Sequence, residues 1–148
     1  PMIKIPSVIQ MISTLGILPF LLGVLATFNL FYNYPALNSF LVSISLLYAA
    51  LILSFLGGCL FGFESLNKDG PNNSRPWIAI IPAIWALVAL QVTNFSASIL
   101  AVGFLLVYEF DRRAHSEGRT PDWWLKLRLP LTIVVIGSLS IIGFYHES

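Results

Sequence analysis

Charged residues are scarce in this chain. Only 10% of the 148 residues are Asp, Glu, Lys or Arg, whereas 57% are hydrophobic. Soluble domains carry about 25% charged residues. The mean hydropathy of +0.82 points in the same direction. This composition excludes an ordinary soluble domain and predicts an integral membrane protein.

Residues that build disulfides and metal centres are equally rare. Cys59 is the only cysteine, and His115 and His146 are the only histidines. A single thiol cannot form an internal disulfide, and the topology predicted below separates the two histidines by the membrane, so they cannot share a metal ion. We therefore expect no metal and no other cofactor, and we expect Cys59 to be a buried structural thiol.

Long apolar stretches fill most of the chain. A helix needs about 17 to 25 predominantly apolar residues to cross the hydrocarbon core of a bilayer. The sequence therefore predicts one all-α domain over residues 1–148, an integral membrane bundle of five transmembrane helices. The predicted spans cover residues 8–31, 40–63, 77–92, 95–110 and 127–145.

Positive charge is confined to one side of this topology. With five spans, all eight Lys and Arg residues fall before the first span, in the loop after the second, or around the loop after the fourth. Short loops rich in Lys and Arg stay on the cytoplasmic or matrix side. We therefore expect the N-terminus inside and the C-terminus outside, in a bacterial cytoplasmic (inner) membrane or the mitochondrial inner membrane.

Capping and turn residues mark the ends of the first two spans. Ser7 and Gln10 have the spacing of a capping box, which predicts the start of the first helix. The stretch 67–74 is rich in Gly, Pro, Asn and Asp. This composition predicts an exposed turn between the second and third spans.

The last loop carries signals for two helix ends. Glu109 and Arg113 have the spacing of a favourable ion pair on a helix that should end before Gly118. Thr120 and the proline after it then predict the start of a short interfacial helix over residues 121–129. We expect Pro130 to kink the chain as it enters the last span.

Basic and tryptophan side chains are concentrated in the same loop. One interpretation is a simple membrane anchor, because indole rings and snorkelling basic side chains favour the headgroup level. The other is a binding surface for an anionic lipid head or for a protein partner. The formal net charge of only +1 argues against nucleic acid. The residues concerned are Arg112, Arg113, Trp123, Trp124, Lys126 and Arg128.

The second span contains a small residue at every fourth position. Within the stretch AALILSFLGGCLFG these residues form a ridge about three turns long. Glycines four residues apart let two helix backbones approach closely in a membrane. We expect the ridge to pack against another helix, either of this chain or of a partner, so that Gly58→Leu disrupts folding or assembly. The ridge residues are Ala50, Ser54, Gly58 and Gly62.

Two stretches of the chain resemble a known family. The segment LILSFLGGCLFG and, more specifically, DRRAHSEGRTPDWWLKLRLPLTIVV are similar to the small membrane proteins grouped as domain of unknown function 3429, which include mitochondrial transmembrane protein 69. The chain departs from the family pattern at Leu60 and Phe61, where a polar or charged residue and a tryptophan are usual. The resemblance implies a five-span inner-membrane protein and implies no particular reaction.

Three functions from different classes are compatible with the sequence. The favoured one is an accessory, assembly or stabilising subunit that packs against other membrane proteins or further copies of itself. A small channel or transporter would need a polar path lined by Gln91 and by the serines near the span prolines Pro19 and Pro82. A lipid-modifying enzyme would need Glu64 and the charged residues 109–113 at the inner surface. We expect no enzymatic activity and no catalytic residue.

Overall fold

The computed structural model describes residues 4–29, 31–66 and 75–146, and within these ranges the chain is all-helical, without a strand. The stretch 67–74, where the sequence predicts a turn, lies outside the described residues. The helices are α1 (Ser7–Leu15), α2 (Leu18–Thr27), α3 (Pro35–Ser65), α4 (Arg75–Ile78), α5 (Ile81–Gln91), α6 (Ser96–Ser116) and α7 (Trp124–His146).

The first predicted span is a helix with a break. α1 and α2 together cover residues 7–27, and a turn at Gly16 and Ile17 separates them. Pro19 in the first turn of α2 has no N–H to continue the helical hydrogen-bond ladder, which explains the break. The predicted capping box is wrong: Ser7 already lies inside the helix, because the Pro6 carbonyl accepts the Gln10 N–H, and no side chain caps this end.

α3 is longer than a membrane is thick. Its 31 residues correspond to about 46 Å at 1.5 Å per residue, against about 30 Å for the hydrocarbon core. The helix therefore extends beyond the predicted span at both ends. At its start the Asn38 side chain bonds both backbone polar groups of Phe31, at 3.2 and 3.0 Å, which satisfies groups that precede the helix.

The remaining elements follow the predicted order with one correction. α5 and α6 are joined by the tight turn 92–95, where the Ser96 hydroxyl donates to the Ala89 carbonyl at 2.8 Å. α6 ends before Gly118, as predicted. The prediction of a separate interfacial helix over residues 121–129 is wrong. α7 begins at Trp124 and continues through Pro130, because side chains of its first turn are buried against α3 and α6.

The helices pack as a closed ring. α2 contacts α3 and α7, α5 contacts α3 and α6, and α6 contacts α7, while α3 and α6 also touch across the ring. The centre is filled by large apolar side chains that are almost fully buried. α1 buries none of its residues and stands apart from this core. The central residues include Phe20, Leu53, Leu100, Phe104 and Leu139.

Three glycines allow this close packing. A Cβ added at Gly57 would lie 2.5 Å from the Ala79 carbonyl oxygen, one at Gly103 would lie 2.6 Å from the Trp85 ring, and one at Gly23 would clash with Ser45. Nothing in the described part of the chain lies within 4 Å of a Cβ added at Gly58 or Gly62. The close approach of another helix of this chain is found at Gly57 rather than at Gly58, because one residue turns the helix face by about 100°.

Three helical segments are long and apolar enough to cross a membrane, namely Ser7–Thr27, Pro35–Ser65 and Trp124–His146. Ile81–Gln91 is apolar but shorter. α6 has sufficient length but carries Glu109, Asp111, Arg112 and Arg113 near its end. These helices make the chain a membrane protein.

Adjacent glycines in α3 should respond differently to the same substitution. Gly57→Ala should lower the free energy of unfolding by about 1–3 kcal/mol, the usual cost of overpacking, because the added methyl group meets a backbone carbonyl. Gly58→Ala should be neutral or stabilising, since alanine favours a helix and the position is open. Denaturation in detergent micelles, followed by circular dichroism, measures both, and equal effects would contradict the packing described here.

Candidate functional site

Charged side chains are buried where α3 and α6 end and α7 begins. We call this region the ion-pair end and define it by the residues Glu64, Asp111, Arg119, Trp124 and Arg128. Glu64 lies in the last turn of α3, Asp111 near the end of α6, and Arg128 in the second turn of α7. Buried ionisable groups are rare in membrane proteins and are the first candidates for a functional site.

Asp111 and Arg128 form the deeper ion pair. Nε of Arg128 donates to Oδ2 of Asp111 at 3.0 Å, and the two side chains are 6% and 0% exposed. Asp111 follows Val107 by four residues and precedes Ala114 by three, so all three lie on the buried face of α6. Breaking such a pair leaves an uncompensated buried charge.

The Trp124 indole is a neighbour of the Asp111 carboxylate. Its ring packs edge-on against Phe63 of α3, with ring centroids 4.9 Å apart. Asp111 lies just beyond the predicted fourth span, and loss of water raises the pKa of its carboxyl group. Arg128 and the neighbouring indole oppose this shift by favouring the ionised form. Trp124 Nε1 itself forms no hydrogen bond of standard geometry.

Glu64 and Arg119 form the outer pair. The Arg119 guanidinium bonds Oε2 of Glu64 at 2.5 Å and Glu117 at 2.6 Å. The chain can reverse here because Gly118 adopts a positive φ of 72°. The Arg119 N–H then donates to the Ala114 carbonyl at 3.0 Å. The pair thereby ties the last turn of α3 to the connection between α6 and α7.

A third group of charges lies on the outside of α6. Glu109 accepts hydrogen bonds from Arg112 at 2.6 and 2.9 Å and from Arg113 at 3.1 Å, which confirms the predicted pairing of Glu109 with Arg113. All three side chains are well exposed. Two arginines therefore share one carboxylate, and this surface keeps a net positive charge.

The residues predicted as one binding surface do not lie together. Arg128 and Trp124 are buried at the ion-pair end, Trp123 is half-buried, and Lys126 is exposed. Lys126 precedes Arg128 by two residues, and Arg113 follows Asp111 by two. Because a helix turns about 100° per residue, each lies on the side of its helix away from the Asp111–Arg128 pair. Arg112 and Arg113 thus belong to a separate surface.

The four residues of the predicted packing ridge differ in their burial. Ala50 is buried and Ser54 is half-buried, with its hydroxyl bonded to the Ala50 carbonyl at 3.1 Å. Gly58 is exposed and Gly62 is half-buried. Cys59 is a half-buried free thiol rather than the fully buried group expected.

Sequence reasoning did not identify the pairing at this end. The sequence placed Glu64 and Glu109 only at the inner surface, and Arg128 in a basic membrane anchor or binding surface. The sequence does contain one signal of the buried charge. Asp111 lies at helical spacing from the apolar residues Val107 and Ala114, so its carboxylate is on the face of α6 that must be buried. The partner of each charge lies 17 or 55 residues away in the chain, so helical spacing could not reveal it.

The deeper ion pair gives a test of this assignment. Arg128→Met should lower the free energy of unfolding by about 3–5 kcal/mol, because it leaves Asp111 buried without a counter-charge. The double variant Asp111→Leu/Arg128→Met should recover most of that loss, since apolar side chains can replace a buried pair. Unfolding in detergent measures both. Arg113→Gln, at the exposed pair, is the matched control and should change little. Equal destabilisation by the single and double variants would refute the assignment.

Comparison with known proteins places the chain in a family. No curated protein and no solved structure matches it. The family described as "Protein of unknown function (DUF3429)" matches residues 5–144. This match covers nearly the whole chain and includes every described helix of the bundle except the last residues of α7. The protein therefore belongs to the DUF3429 family.

Proposed function

We propose that this protein is a five-span accessory subunit of a bacterial cytoplasmic membrane or the mitochondrial inner membrane. In this proposal the N-terminus lies inside, the C-terminus lies outside, and the bundle stabilises other membrane proteins by packing against them. The observation that carries the proposal is the open face of α3 around Gly58 and Gly62.

The distribution of charge supports the orientation. α2 and α3 run antiparallel, since Gly16 contacts Tyr48 whereas Gly23 contacts Ser45. α6 and α7 run antiparallel as well, because Asp111 pairs with Arg128 whereas Ala97 shares a buried cluster with Ile142. The Glu64–Arg119 pair joins the end of α3 to the charged loop after α6, so the start of the first helix and that loop belong to one end. Lysine and arginine at that end favour an inside location.

The open glycines support packing against a partner. Gly23, Gly57 and Gly103 each meet a neighbour within this chain, whereas nothing in its described part lies within 4 Å of a Cβ added at Gly58, Gly62 or Gly137. Gly58 and Gly62 are four residues apart on a face of α3 that also exposes Phe55 and Phe61. Such a pair allows close helix contact in lipid, where no hydrophobic force drives association.

Two further proposals from the sequence have less support. Pro82 packs on Gly57, Pro19 only begins α2, and Gln91 is exposed at the end of α5, so these residues do not share a polar path. For a lipid-modifying enzyme, the three carboxylates that the sequence suggests, Glu64, Glu109 and Asp111, are each bonded to arginine.

Membrane lipids remain proposed partners. Arg112 and Arg113 are exposed and share one carboxylate, so a positive charge remains on the outside of α6. Anionic headgroups of the inner leaflet attract such charges. Lys126 is also exposed, on α7.

Purification in mild detergent from the native membrane tests the accessory function. The wild-type protein should elute in a complex larger than its monomer. Gly58→Leu should lose that complex and keep its fold, because the position is open within the chain. Gly137→Leu is the matched control: Gly137 is also exposed, with nothing within 4 Å of an added Cβ, but it lies on α7, so the complex should survive. A wild-type protein recovered only as a monomer would exclude the proposal.

The orientation has its own test. An epitope at the C-terminus should be recognised on intact spheroplasts or mitoplasts, and an epitope at the N-terminus only after permeabilisation. The physical reason is the retention of Lys- and Arg-rich segments on the inner side. Recognition of both epitopes without permeabilisation would contradict an odd number of spans.

A further inference from the structure

Six buried side-chain atoms make no hydrogen bond of standard geometry within the described part of the chain. Five of them belong to the ion-pair end, and the sixth belongs to Thr132, one turn further along α7. Buried polar atoms are nearly always bonded, so six together require an explanation. They are Glu64 Oε1, Asp111 Oδ1, Arg119 Nε, Trp124 Nε1, Arg128 Nη2 and Thr132 Oγ1.

The N–H donors and the hydroxyl among these atoms run from the connection before α7 along the buried side of that helix. Arg119 is partly exposed and bonds the exposed Glu117 at the mouth. Trp124, Arg128 and Thr132 succeed one another along one side of α7. Thr132 follows Trp124 by eight positions, which corresponds to about 12 Å along the helix axis. Beyond Thr132 the same side of α7 continues with Val135 and Leu139, which belong to the apolar core.

The chemistry of the six atoms defines what they bind. Two arginines and two carboxylates give the ion-pair end a formal charge of zero, so neither an anion nor a cation would be balanced there. Three of the atoms belong to N–H donors, two are carboxylate acceptors, and the threonine hydroxyl can act as either. None of the six atoms is accessible to solvent, so only a very small ligand fits among them. Water is neutral, donates and accepts, and makes two to four hydrogen bonds when buried.

We propose that the ion-pair end is a water-binding inlet that runs from Arg119 to Thr132 and is closed by the apolar core at Val135 and Leu139. Bound water connects the outer pair, Glu64–Arg119, to the deeper pair, Asp111–Arg128. The accessory function does not require this inlet, and the inlet does not require a partner protein, so each proposal can fail alone.

X-ray radiolytic footprinting tests the inlet, because water trapped inside a protein generates hydroxyl radicals that oxidise neighbouring side chains. The experiment uses the full chain in lipid nanodiscs, with oxidation of each tryptophan measured by mass spectrometry. Trp85 is the internal control: it is less buried than Trp124, and its Nε1 already donates to the Ile99 carbonyl at 2.6 Å. Trp124 should oxidise several-fold faster than Trp85. Oxidation at an equal or lower rate would overturn the proposal.

Variants separate bound water from water at the membrane surface. Asp111→Leu/Arg128→Met removes the deeper pair and should lower oxidation of Trp124 several-fold, with Trp123 unchanged. If that variant does not fold, Glu64→Leu/Arg119→Met removes the outer pair and should have the same effect. A folded variant in which Trp124 oxidises as fast as in the wild type would show that surface water is responsible, and the inlet would be rejected.

Discussion

The Asp111–Arg128 ion pair is the interaction on which the arrangement of α6 and α7 depends. Neither charge can be buried alone at the edge of a membrane, where a lone charge is costly and an apolar environment cannot compensate it. Their pairing at 3.0 Å sets the register of two antiparallel helices. The Glu64–Arg119 pair then adds α3 to the same end. α3 thus meets the consecutive helices α6 and α7 where these charges neutralise one another.

Close packing of helix backbones is the second interaction that holds the bundle together. Gly23, Gly57 and Gly103 each lie where a neighbouring helix leaves no space for a side chain. In lipid, van der Waals contact and backbone approach replace the hydrophobic force that would drive such packing in water. Gly58 and Gly62, four residues apart on one face of α3, meet no such neighbour in the described part of the chain. They separate the packing that forms the bundle from the packing available to a partner.

Several features were predictable because one local rule determines each of them. The apolar stretches were found because bilayer thickness sets the length of a spanning helix. The end of α6 before Gly118 and the Glu109–Arg113 pair follow from backbone preference and helical spacing. The interfacial helix was predicted wrongly because a tryptophan beside basic residues suits a membrane surface and a buried ion pair equally well. Trp124 contacts Phe63, 61 residues earlier in the chain, and no local rule selects that contact.

The sequence by itself determined the class of this protein and the apolar segments that give it a helical membrane fold. Both follow from composition and from the length of apolar runs, which are additive along the chain. Only the tertiary structure decided which glycine lies against a neighbour, and which arginine neutralises which carboxylate. These outcomes depend on a rotation of about 100° per residue and on the helix opposite, so a shift of one position, as between Gly57 and Gly58, changes a packed contact into an open surface.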